Sequence, residues 1–123
     1  MSKLISVEIL GTPYDIYIEP EDSDSKYQSM DGWSDWTAKE IHVVSPKKDE
    51  NSVKYLHKYV NKVIRHEVIH AYLHESGLDN NSFYCDAWAR NEEMVDWFAI
   101  MLPKINHTCD EVISKILKEE DKQ

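Results

Sequence analysis

The chain opens with strict alternation. Across Leu4–Leu10, the positions Leu4, Ser6, Glu8 and Leu10 alternate with Ile5, Val7 and Ile9. The second set is uniformly β-branched, which predicts a strand with one buried face. Gly11-Thr12-Pro13 punctuates the run. Tyr14, Ile16 and Ile18 then alternate with Asp15 and Tyr17, so the two runs are expected to pair as a hairpin. Glu19–Trp36 is acidic and serine-rich, contains Gly32, and reads as an exposed loop. Lys39–Ser45 reads as a third strand stopped by Pro46.

Beyond that proline the period changes. Leu56, Tyr59, Val60, Val63, Ile64, Val68, Ala71 and Tyr72 recur at three- and four-residue steps. That spacing predicts one long helix over residues 50–76, with Gly77 where a terminating glycine belongs. Leu78–Cys85 reads as a connector. A second helix is expected from about Asp86 to Leu102, ended by Pro103, because proline disfavours helical geometry at the residue before it. A third helix is expected from Thr108, which has capping-box spacing to Glu111, with Val112, Ile113, Ile116 and Leu117 on its apolar face. The organisation is α+β: about three N-terminal strands in residues 1–46, then mainly helix. There is no internal repeat or linker, and 123 residues make a single domain.

Composition narrows the function. Apolar residues make up 41% and charged residues 30%, ordinary values for a globular chain rather than a disordered one. Net charge is −9, which disfavours phosphate-directed nucleic-acid binding and anionic membrane surfaces. No apolar run approaches the ~20 residues of a bilayer span. The start MSKLISVEILG lacks the apolar core of a secretion signal, so a cytoplasmic location is expected. Cys85 and Cys109 form no CxxC pair and read as reduced, buried thiols.

The chemistry lies in His66-Glu67-Val68-Ile69-His70, inside the long helix. Histidines at i and i+4 share a helix face and can converge on one zinc ion. Glu67 then stands where a general base can take a proton from a water on that metal. A catalytic zinc site needs a third protein ligand and an open position. His74 continues the i+4 series, but eight residues of straight helix span ~12 Å from His66, too far to share one metal. Glu92 and Glu93 on the second helix are the better candidates. Glu92 is favoured because Asp96, one turn on, can accept the free ring N–H of a ligating histidine. Tyr84, His42 and His107 are candidate oxyanion donors that pattern alone does not separate.

RHEVIHAYLHESGL followed by NEEMVDWFAIMLP resembles the gluzincin metallopeptidases, whose HExxH is completed by a downstream glutamate with an acidic or amide residue four positions later. Here these are His66, Glu67, His70, Glu92 and Asp96. The Phe98-Ala99-(x)2-Leu102-Pro103 ending and the small size resemble ImmA/IrrE-like peptidases and the small HExxH proteins of phages and prophages. The resemblance covers roughly residues 36–103. It implies a minimal zincin-like fold: a short twisted sheet, an active-site helix and a further helix carrying the glutamate. It also implies an edge strand that binds extended peptide, a role assigned to Lys39–Ser45. The expected function is zinc-dependent hydrolysis of a peptide or protein substrate, selective because a chain this small offers a shallow cleft. The alternative is a zinc-stabilised, non-catalytic regulatory or inhibitory module.

Overall fold

The computed structural model describes residues 3–45, 56–81 and 92–121. Strand β1 (Lys3–Ile9) and strand β2 (Thr12–Pro20) form the expected antiparallel hairpin, with Ile5 opposite Ile16 and Val7 opposite Tyr14. The turn is two residues, Leu10 and Gly11, both at positive φ (50° and 86°). That backbone matches the right-handed twist of the flanking strands.

Among the described residues the sheet has four strands where three were expected. Strand β3 (Gly32–Asp35) lies inside the segment read as a loop, and strand β4 is Glu40–Ser45. The order is β1-β2-β4-β3, with β2 and β4 parallel and β3 antiparallel to β4. Gly-Trp-Ser-Asp carries no alternation of its own, so only its pairing with β4 identifies it as a strand. The reversal from β3 to β4 is built by Asp35, whose Oδ1 accepts from Thr37 Oγ1 (2.6 Å), Thr37 N (3.0 Å) and Ala38 N (3.2 Å). The Thr37 hydroxyl and the neighbouring amides hold the Asp35 carboxyl below its ordinary range.

This topology overturns one assignment. Lys39–Ser45 was expected at the sheet edge beside the active-site helix. Its strand is interior, flanked by β2 and β3, so the edge position belongs to β3.

Helix α1 (Leu56–Glu75) and helix α2 (Glu92–Asp121) are the two α-helices among the described residues. They cover one sheet face. Ile5, Val7, Ile9, Tyr14, Ile16, Ile18, Ile41 and Val43 meet Ile64, Val68, Ala71 and Tyr72 of α1 and Ile105, Cys109 and Val112 of α2. Burying each large aliphatic side chain contributes about 1.5–3 kcal/mol. Gly77 follows α1 at φ 81°, and its N–H donates to His74 O (3.1 Å).

The second departure concerns α2. Pro103 was expected to end one helix and Thr108 to cap another, but a single helix runs through both. Pro103 is exposed, so the carbonyl deprived of its N–H partner, on Ala99, also lies at an exposed position. The core contacts of Ile105, Cys109 and Val112 carry the helix on. Thr108 is only 3% exposed and is not a cap: its hydroxyl lies 2.7 Å from Tyr72 OH and 3.2 Å from Lys104 O. The expected helix start at Asp86 lies outside the described residues. No helix among those described is long and apolar enough to cross a membrane.

Candidate metal centre

His66, Glu67 and His70 sit in the middle of α1, where Ile64, Val68 and Ala71 are fully buried and hold the helix on the sheet. His66 and His70 are exposed. Their rings meet edge to face, centroids 4.7 Å apart, with the two Nε2 atoms separated by 3.1 Å. Two nitrogens bound to one tetrahedral zinc at about 2.05 Å stand roughly 3.3 Å apart. The pair therefore has the spacing to share a cation, and equally to share one proton between the rings. The donor set fits zinc as far as these two ligands go.

Glu67 is turned toward β3. It is only 6% exposed, and its Oε2 accepts from Ser34 Oγ on β3 (3.1 Å). Gly32 makes this approach possible. A Cβ there would lie 3.1 Å from Glu67 Cγ, 3.1 Å from Val63 Cγ1 and 3.0 Å from the backbone O of His42. His66 and Glu67 line a cleft of about 310 Å³ together with Met30, Asp31, Gly32, Tyr59, Lys62 and Val63. The Tyr59 hydroxyl donates to the Asp31 carboxylate across the cleft.

Among the described residues no strand pairs with the outer side of β3, whose Gly32 lines this cleft. Val44 N–H donates to Asp31 O (2.9 Å). In an antiparallel ladder this alternation aims the main-chain groups of Asp31, Trp33 and Asp35 at β4 and those of Gly32 and Ser34 outward.

The other sequence candidates are dispersed. Trp97 Nε1 donates to Ser76 Oγ (3.2 Å), and Tyr72 OH donates to Lys104 O (3.1 Å). Thus α1 and α2 run antiparallel, with Trp97 level with Ser76 and Lys104 level with Tyr72. Glu93 and Asp96 are exposed and lie toward the end of α2 beyond Trp97, away from the histidine pair. No cluster of three His, Cys, Asp or Glu side chains able to hold a metal occurs among the described residues, so neither Glu93 nor Asp96 joins His66 and His70. The side chain of Glu92 and all of Tyr84 lie outside the described residues.

His74 stacks on Trp36 (4.4 Å, 6°) and takes no part in the pair. His42 faces the opposite side of the sheet, between Tyr17 and Trp33 (4.9 and 4.6 Å), with its ring nitrogens 2.7 Å from Glu19 and 3.1 Å from Glu40. His107 lines grooves between α2 and β1, at the sheet edge opposite β3. Neither histidine reaches the cleft as an oxyanion donor.

Sequence reading missed Ser34, Gly32 and Asp31, because β3 carries no pattern. It also missed Tyr59 and Lys62, although their spacing of seven and four residues before His66 puts them on its helix face. Comparison with known protein families, curated proteins and solved structures finds no match to this chain.

Proposed function

We propose that the protein is a zinc-dependent peptide hydrolase with His66 and His70 as two metal ligands and Glu67 as the general base. The observation that carries this reading is the 3.1 Å approach of the His66 and His70 Nε2 atoms, with His66 lining one cleft together with the nearly buried Glu67. α2 runs antiparallel to α1 with Trp97 level with Ser76, so Glu92 at its start lies farther still from the histidine pair and is not proposed as the third ligand.

When bound, zinc supplies Lewis acidity toward a carbonyl oxygen and acidifies water. The protein does the rest. Gly32 and Ser34 offer outward main-chain groups along which an extended peptide adds as a further strand. Met30, Tyr59 and Val63 give the cleft apolar wall for a side chain. Glu67 takes the proton of the attacking water and delivers it to the departing amine nitrogen.

The test is a Glu67→Gln variant assayed on a quenched-fluorescence peptide library after chelation and zinc reloading. The proposal expects one zinc per chain in both proteins and at least a 100-fold slower hydrolysis in the variant. Equal hydrolysis by both removes Glu67 as the base.

A further inference from the structure

We propose that Ser34 is a positioning residue for Glu67, coupling the docking of a peptide strand on β3 to the aim of the general base. The inference rests on the hydrolase reading above and goes beyond it, because the HExxH pattern contains no such residue.

Three observations meet at Ser34. Its hydroxyl donates to Glu67 Oε2 at 3.1 Å, across 33 residues of sequence and from sheet to helix. Its main-chain groups face the outer edge of β3, since Asp31 and its alternate neighbours spend theirs on Val44 and β4. Its β3 neighbour Gly32 has no side chain where one would collide with Glu67 Cγ, so the strand can lie this close to α1. A glutamate side chain has three rotatable bonds, and in a nearly buried site one fixed oxygen determines where the other points. Ser34 thus holds the carboxylate with its side chain and is placed to hold substrate with its backbone.

β3 itself is clamped from behind. Trp33 stacks on His42 at 4.6 Å, and Tyr27 packs on Trp33 while donating to Glu19 (2.8 Å). The residue that aims the base therefore stands on a strand fixed on the face away from the cleft.

This geometry separates binding from turnover. Removing the hydroxyl leaves every main-chain group of β3 in place. In the zinc-loaded full chain, Ser34→Ala is expected to lower kcat about tenfold, a fraction of what a general base contributes, with KM on the library-selected peptide unchanged within twofold. Ser34→Thr, which restores the hydroxyl on a strand-favouring residue, is expected to recover most of kcat. A kcat for Ser34→Ala equal to that of the parent overturns the positioning role and leaves the hydrolase reading intact. A matched rise in KM and loss of kcat with no rescue by threonine overturns it in favour of a merely structural contact. A crystal structure of Ser34→Ala gives a readout independent of turnover. A Glu67 carboxylate displaced from its parent position supports the proposal, and an unmoved one contradicts it even if no peptide is ever cleaved.

Discussion

Gly32 stands opposite Glu67 with no room for a side chain between them: a Cβ built on this sheet-edge glycine would lie 3.1 Å from the γ-carbon of the buried acid on α1. One of the other two obstructions is the backbone oxygen of His42, which a flexible side chain cannot relieve. Gly32→Ala is therefore expected to destabilise the fold by about 1–3 kcal/mol, the usual cost of overpacking. Denaturant unfolding measures it, and an unchanged midpoint would show that β3 stands off from the helix.

The hairpin turn carries a correctable defect. Leu10 sits at φ 50°, a region costly for a branched apolar side chain, and is 37% exposed. Two-residue turns with both residues at positive φ favour Asn-Gly. Leu10→Asn is expected to stabilise the protein by about 0.5–1 kcal/mol, read as a raised midpoint in thermal or urea unfolding.

Pro103 makes the continuous helix testable. Proline inside a helix costs about 3 kcal/mol relative to alanine. At this exposed site Pro103→Ala is expected to add about 1–3 kcal/mol and to preserve helix content by circular dichroism. If two separate helices met at Pro103, the substitution would bring little gain.

Glu75 ties the end of α1 to the sheet. It accepts from Tyr14 OH (2.9 Å) and Lys39 Nζ (3.0 Å). Burial pushes its carboxyl up, but hydrogen bonds from Thr12, Lys39 and Tyr14, together with the Lys39 charge, outweigh burial and leave it below the ordinary 4.5. A depressed carboxyl stabilises the fold above its unfolded value and loses that contribution as pH falls through the folded value. Glu75→Gln is expected to be less stable than the parent at pH 7, with the gap closing as pH drops below about 4.5. A gap independent of pH would place the effect in shape rather than charge.

Much of this architecture was legible in the chain because burial was written in its period. Ile5, Val7 and Ile9, then Tyr14, Ile16 and Ile18, all lie in the core as their alternation required, and α1 ends where Gly77 predicted. What was not legible depended on partners distant in sequence. Gly32–Asp35 became a strand through β4 and displaced Lys39–Ser45 from the edge. Pro103 and Thr108 resembled a stop and a cap, yet core contacts at Ile105, Cys109 and Val112 overrode both. Of the candidate site, His66, Glu67 and His70 were found by spacing, whereas Ser34, the partner of Glu67, had no local signal.

The account turns on whether His66 and His70 share a zinc ion. The most direct measurement is zinc content by elemental analysis, with calorimetric titration of chelator-treated full-length protein. The account predicts one tightly bound zinc per chain, lost in His66→Ala and in His70→Ala and retained in Glu67→Gln. A parent protein that binds no zinc, or a His66→Ala variant that binds it as tightly as the parent, would contradict it.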